Sequence, residues 1–296
     1  MKHSASAAAT RNNRWIALTP AVFVVLWSTG FIGAKLGTPY APPFTFLLLR
    51  FIVVTVTLLA VALVIRAPWP RRRDVGRIAL IGLLIHGCYL GGVFLSISLG
   101  VPAGLAALMV SLQPLATALV AGPYLGEKLR HLQWLGLLLG LLGVSLVVGN
   151  KLSWQQGDIA GVLGCVVALL GITAGTLYQK RHATSMHLVT GSLVQFAAAG
   201  VAMLPLVLIF EGRAVQWTGD FVFALLWLSY VLSIGAITLL HLLIRRGAAA
   251  KVASLFYLTP AVTAILAWLL FGETLSPLAI AGMVVAIAGV ALVARG

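Results

Sequence analysis

The chain has 296 residues, 61% of them hydrophobic and only 9% charged, with a formal net charge of +14 and a mean hydropathy of +1.07. That apolar content lies far above that of soluble domains, and a globule of this length could not bury it. A water-solvated domain is excluded, and the basic excess becomes a question of which loops carry it rather than a sign of nucleic acid.

The first fourteen residues, "MKHSASAAATRNNR", are polar and basic. The apolar run that follows, at roughly 15–34, is too long for a signal-peptide core and ends at Lys35 instead of a small-residue cleavage site. It reads as a retained first helix, carrying Trp27, Gly30 and Gly33. Gly30 is a candidate hinge, with helix packing as the alternative. The second run, roughly 43–65, contains Arg50 in "FLLLRFIVV", the one charge set well inside an apolar segment. About seven residues from the run's start, it lies roughly 10 Å deep at 1.5 Å per residue. Such an arginine either snorkels to the headgroups or faces inward, toward a substrate carboxylate or the carbonyls of a gate.

The third run, roughly 77–99, holds His86, Cys88 and Tyr89, and the fourth, roughly 103–125, holds Ser111, Gln113 and Pro114. The fifth spans about 131–149. The sixth, about 157–178, includes Cys165 and Tyr178, and the seventh, about 187–210, includes Gln195. The eighth, about 220–244, includes His241, and the ninth, about 249–271, includes Tyr257 and Pro260. The tenth covers about 276–294. A helix needs about 20 apolar residues to cross lipid, and none of these runs has the period-2 alternation of a membrane barrel. The expected fold class is all-α integral membrane with ten transmembrane helices. Both cysteines are expected to be small buried apolar residues, since they show neither metal nor disulfide spacing.

With the N-terminus placed in the cytoplasm, the loops on that side collect sixteen lysines and arginines, and the opposite side holds Lys35, Lys151 and Arg213. This asymmetry predicts a multi-pass plasma (inner) membrane protein with both termini cytoplasmic.

Two stretches share a cadence, "AGPYLGEKLRHLQWLG" at 121–136 and "AWLLFGETLSPLAIAG" at 267–282. Shifting by 146 residues brings Glu127 onto Glu273, Pro114 onto Pro260, Leu129 onto Leu275, Gly136 onto Gly282 and Gly143 onto Gly289. A shift of 145 brings Gly30 onto Gly175, Lys35 onto Lys180, Arg50 onto Gln195 and Phe51 onto Phe196. The chain therefore reads as two copies of a five-helix unit, 1–150 and 151–296. Five is odd, so the second copy starts on the opposite side of the bilayer, and the repeats are inverted. Inverted repeats are the architecture of alternating-access carriers.

These features, with "WSTGFIGAK" at 27–35, resemble the drug/metabolite transporter superfamily, specifically its ten-helix EamA-type branch. The resemblance rests on Pro114, Gly126-Glu127, Leu129, Gly136 and Gly143, and on Pro260, Gly272-Glu273, Leu275, Gly282 and Gly289. It implies an exporter of small metabolites, with amino acids, aromatic ones included, a prominent substrate class.

Each glutamate of the repeated cadence follows a glycine that can leave a helix with positive φ. Each then stands near the N-terminus of the next helix, where negative charge is favoured; Ser276-Pro277 adds an N-cap and an N1 proline. Pro114 and Pro260 are candidate kinks that free backbone at mid-depth, lining a cavity or merely fitting neighbouring helices. Trp27, Arg50, His86, Tyr89, Ser111, Gln113, Tyr178, Gln195, His241 and Tyr257 form the candidate substrate-binding inventory, suited to an amphipathic or aromatic amino acid. Each of them could instead serve interhelical packing.

All six acidic residues, Asp74, Glu127, Asp158, Glu211, Asp220 and Glu273, fall in loops or at span ends. Neither a phosphate-binding G-x-x-x-x-G-K-[ST] loop nor a G-x-S-x-G elbow occurs. The expectation is a transporter with no cofactor, no metal and no catalytic residues. Its partners are a small-molecule substrate and the lipid bilayer, not nucleic acid; monomer and homodimer both stay open. The alternatives are a broader drug exporter, an intramembrane enzyme, which would need clustered catalytic groups, or a channel. Inversion has a direct test. Cysteines replacing Lys128 and Thr274 should react with an impermeant thiol reagent from opposite faces of the membrane, and labelling of both from one face would refute the inverted duplication.

Overall fold

The computed structural model describes residues 2–125, 131–151, 156–182, 186–212, 214–236, 239 and 256–295. Gly126, Glu127, Lys128, Leu129, His241 and Ala253 lie outside the described residues, as does the side chain of Tyr257.

Every regular element among the described residues is helical. Helix α1 (Lys2–Gly37) turns through residues 38–41 into α2 (Pro43–Val64), whose start is fixed by Pro42 and Pro43. Proline suits this position because its missing N–H would lack an intrahelical partner anyway. At the other end of α2, Arg66 adopts φ 51° and the Ala67 amide donates back to the Ala62 carbonyl at 2.9 Å. This left-handed cap satisfies carbonyls that the helix leaves open. The chain then runs through Pro68 and Pro70 into α3 (Arg72–Gly82).

A π-helical stretch (Leu83–Leu90) joins α3 to α4 (Gly91–Ser98) without a break. Next come α5 (Ala103–Ser111) and α6 (Gln113–Leu125), separated by a turn at Leu112, then α7 (His131–Lys151), α8 (Gln156–His182) and α9 (Leu188–Phe210). Helix α10 (Gly219–Leu226) is capped by Thr218, whose hydroxyl accepts from the Phe221 amide at 3.3 Å, and runs into a second π-helical stretch (Trp227–Ala236). A 3₁₀ turn (Phe256–Leu258) leads into α11 (Thr259–Phe271), and α12 (Pro277–Arg295) ends the chain. Gly272 caps α11 at φ 65°, and the Ser276 hydroxyl accepts from the Ala279 amide at 3.1 Å, as the spacing of the second cadence predicts.

Six helical segments among the described residues are long and apolar enough to cross a membrane: Thr19–Gly37, Pro43–Val64, Arg72–Ser98, Ile159–His182, Leu188–Phe210 and Gly219–Ala236. Shorter apolar segments follow Ala103, His131, Thr259 and Pro277. Large apolar side chains cover the outer faces, Leu138, Val201, Leu208 and Ile209 among them, while Ser28, Arg50, His86, Gln195, Ser229, Ser233, Thr259 and Thr263 are buried. Apolar groups outside and polar groups inside is the pattern that lipid solvation selects.

Pro114 lies inside the apolar helical segment Ala103–Thr117, two residues past a local turn at Leu112. Pro260 is the second residue of α11, which continues directly from the 3₁₀ turn. A ring that cannot donate interrupts the α-helical ladder, and at both prolines the regular α-helix gives way two residues before the ring. The cysteine expectation holds only in part: Cys165 is buried, but Cys88 is exposed.

Segments matched by the sequence shift pack on one another, α2 on α9 and α7 on α12, and α5 packs on α11, the counterpart of the adjoining α6. Crossed contacts come in exchanged pairs as well, with α1 on the second π stretch and α8 on the first. The α7–α12 contact is the tightest kind. A Cβ on Gly289 would stand 2.6 Å from both the Gly136 carbonyl oxygen and the Gly140 nitrogen, neither of which can rotate away. Replacing Gly289 by alanine is therefore expected to cost about 1–3 kcal/mol, read as a lowered thermal midpoint in detergent. Gly76→Ala, where nothing lies within 4 Å, is expected to leave the midpoint unchanged or slightly raised.

Candidate functional site

The two π stretches, α1, α2, α4, α8 and α9 meet around a cavity of about 120 Å³. Its wall is built mainly of rings and aliphatic groups: Trp27, Phe31, Phe94, Phe196, Ile172 and Leu232. The polar groups on the wall are Arg50, His86, Tyr89 and Ser233.

Arg50 projects from the buried face of α2 and is 3% exposed, so it does not snorkel. Its Nη2 donates to the Ser233 hydroxyl at 3.0 Å. Ser233 passes its own proton to the Leu228 carbonyl, also at 3.0 Å, a five-residue step that the wider π turn makes available. The Arg50 Nε is buried with no hydrogen-bond partner. Five donors in a rigid fork are matched best by carboxylate geometry, yet every carboxylate of this sequence falls in a loop or at a span end. The guanidinium is thus a buried cation with an open donor.

His86, from the first π stretch, stacks on Phe196 with ring centroids 4.0 Å apart, and its side chain is held by Gln195. The Gln195 amide nitrogen faces the Met186 sulfur at 3.6 Å. Phe51 meets both rings, at 6.2 Å from His86 and 5.8 Å from Phe196. Trp27 stands edge-on to Phe256 at 5.1 Å and beside Phe23 at 5.5 Å. Gly30 leaves room for Leu232, whose Cδ2 would lie 2.9 Å from an added Cβ. A side chain there would push into the cavity wall.

Four residues of the substrate-binding inventory, Trp27, Arg50, His86 and Tyr89, thus meet at one place, together with the hinge candidate Gly30. Gln195 supports them from behind. Three others lie elsewhere. Ser111 donates to the Leu108 carbonyl at 2.7 Å, Gln113 donates to the Thr176 hydroxyl at 3.1 Å, and Tyr178 stacks on His182 at 4.2 Å near the end of α8. Ser233 was not singled out by sequence reasoning. The available signal was a serine within the apolar "WLSYVLSIGA", at the position 145 residues beyond Cys88. Ile172 stands in the same relation to Trp27.

One end of the bundle is tied together by acidic groups. Glu273 forms an ion pair with Lys35, whose Nζ also lies 5.5 Å from the centre of the Phe271 ring. The Glu211 carboxylate accepts from the Phe44 amide at 2.8 Å and from the Thr45 amide and hydroxyl at 2.6 and 2.7 Å, capping α2. Charge-assisted bonds to a helix N-terminus are among the stronger ones available. The Tyr40 hydroxyl donates to Asp220 at 3.1 Å, and that carboxylate holds the phenol above its ordinary pKa. These ties link α1, α2 and their connecting turn to residues at the ends of α9, α10 and α11.

An apolar cavity carrying a buried guanidinium inside a lipid-solvated helix bundle is the arrangement of a multi-pass membrane protein of the transport class. The model of the EamA-like transporter family matches residues 14–149 and, a second time, residues 159–295, so the chain belongs to that family. It is 29% identical over 273 residues to the uncharacterized inner membrane transporter YedA of Escherichia coli strain K12, covering 92% of this chain and 88% of that one. It is 28% identical over 290 residues to a probable amino-acid metabolite efflux pump of Salmonella typhimurium, covering 95% of this chain and 94% of the other. A crystal structure of a protein 20% identical superposes with a TM-score of 0.64 over 93% of this chain and 94% of that one, a likeness of fold.

The Arg50–Ser233 contact yields a stability test. Ser233→Ala leaves a second guanidinium donor without a partner and is expected to cost about 1.5–3 kcal/mol. Ser233→Thr keeps the hydroxyl and should recover most of the loss in detergent melting curves.

Proposed function

We propose that the chain exports small metabolites across the plasma membrane, amino acids foremost and aromatic or hydrophobic ones among them, by alternating access. The observation that carries this reading is Arg50: a buried guanidinium with an open donor, on the wall of an apolar, ring-lined cavity. The carboxylate common to amino acids completes the fork, and the rings receive an apolar side chain.

The mechanism follows from an inverted arrangement of two five-helix units, 1–150 and 151–296. Three observations support it. One family model matches twice along the chain. Segments related by the sequence shift pack on each other. The two π stretches occupy corresponding positions, since residues 83–90 shifted by 145 fall within 227–236. In this reading the unit that closes one face is the counterpart of the unit that closes the other, and exchanging their conformations moves the cavity's access across the bilayer.

The distribution of basic residues orients the molecule with both termini in the cytoplasm, so the Lys35–Glu273 end faces outward. The ion pair and the Glu211 cap then form an outer closure, opened when substrate is released. The name of the Salmonella typhimurium relative, a probable amino-acid metabolite efflux pump, agrees with export. In this reading no chemical step occurs, and the cargo leaves unchanged.

Purified protein in liposomes, offered a panel of labelled amino acids and nucleosides with and without a pH gradient, should give saturable counterflow of at least one hydrophobic or aromatic amino acid. Arg50→Gln should lower that flux by roughly tenfold to a hundredfold, the worth of a charge-assisted hydrogen bond. Absence of amino-acid flux from the active preparation would remove the substrate assignment.

A further inference from the structure

Resting on the transport role just given to the cavity, we propose that it reads the carboxylate and apolar tail of its cargo and leaves the α-amino group unread. Monocarboxylates without an ammonium, such as deaminated counterparts of aromatic amino acids, would then be cargo in their own right and bind more tightly than the zwitterions.

The argument starts from charge. Among the described residues the cavity wall carries one ionic group, the Arg50 guanidinium, with Nη2 on Ser233 and Nε open. A bound carboxylate neutralises it. An ammonium on the same molecule needs a negative or strongly accepting partner once it leaves water. All six acidic residues fall in loops or at span ends, and among the described residues Glu211, Asp220 and Glu273 are engaged at one end of the bundle.

Among the described residues the neutral side-chain acceptors on the wall are Ser233, His86 and Tyr89, and the first two are engaged. The Ser233 hydroxyl accepts from Arg50 and spends its proton on Leu228. His86 is stacked on Phe196 and held by Gln195. What remains for an ammonium is the neutral Tyr89 hydroxyl and the faces of rings, with the Arg50 guanidinium on the same wall repelling it. Ring faces attract cations weakly compared with a carboxylate. The wall therefore favours an anion over a zwitterion, and a zwitterion over a cation.

The test uses the purified full-length protein and three ligands that share one ring and tail: 3-phenylpropionate, phenylalanine and phenethylamine. Equilibrium binding and competition with labelled phenylalanine counterflow are both measured. The expected order is 3-phenylpropionate tighter than phenylalanine by about tenfold or more, the scale of one unpaired buried charge, with no binding of phenethylamine. Labelled 3-phenylpropionate should itself show counterflow. Phenylalanine binding and moving while 3-phenylpropionate does neither overturns this inference and leaves the amino-acid reading standing. Binding of phenethylamine overturns it as well, by revealing an acceptor for the ammonium. Failure of both carboxylates to bind or move removes the amino-acid reading and this inference together. Because the series varies the ligand, no outcome depends on a variant that fails to fold.

Discussion

The constraint on which the rest of this structure depends is the need to satisfy every backbone amide inside a medium that offers no hydrogen bonds. The described chain meets it almost everywhere with α-helix, and departs from it in four places within the apolar segments: the π stretches at Leu83–Leu90 and Trp227–Ala236, the turn at Leu112 and the 3₁₀ turn at Phe256–Leu258. Irregular backbone is admissible in a membrane only where protein or a cavity shields it from lipid. Both π stretches line the cavity directly, and Phe256 stands against its wall residue Trp27. The irregular backbone and the binding space are thus aspects of one solution.

Charge obeys the same constraint. Arg50 is tolerable at depth because Ser233 takes one of its donors and because the residue stands on the wall of a cavity and not against lipid. A buried arginine sealed against hydrocarbon would have neither. The carboxylates, by contrast, are all kept at span ends. At the Lys35 end three of them do structural service, pairing with Lys35, capping α2 and receiving the Tyr40 hydroxyl. The chain's scarcity of acid is therefore informative: the negative charge it retains holds segments together, and positive charge is left alone in the middle.

Much of the architecture was legible because lipid simplifies the code. Apolar runs near 20 residues, proline pairs such as Pro42-Pro43, and glycines such as Gly272 mark the segment boundaries within a few residues. Arg50 stood out because a lone charge in "FLLLRFIVV" has few reasons to be there. What the sequence left open has equally physical causes. A proline in an apolar run looks the same whether it bends a helix or stands near its start; Pro114 lies within Ala103–Thr117 past a local turn, and Pro260 near the start of α11. Ser111, Gln113 and Tyr178 are polar groups in apolar runs like the cavity residues, but which way each faces depends on the rotation of its helix, and a rotation is set by packing that spacing alone does not encode. Ser233 escaped notice for the same reason, made worse by a π stretch that breaks the 3.6-residue period on which such readings rely.

Those π stretches also store a register. A π turn holds one more residue than an α turn, and taking that residue up into regular α-helix would swing everything beyond it by about 100° around the axis. His86 and Tyr89 belong to one stretch, Leu232 and Ser233 to the other. A single-residue slip in either would carry its pair off the wall and present neighbours in their stead, with no rupture of the surrounding helix. The wall's chemistry is thereby tied to a count of residues per turn at two sites, so that the identity of the lining groups is itself a conformational variable.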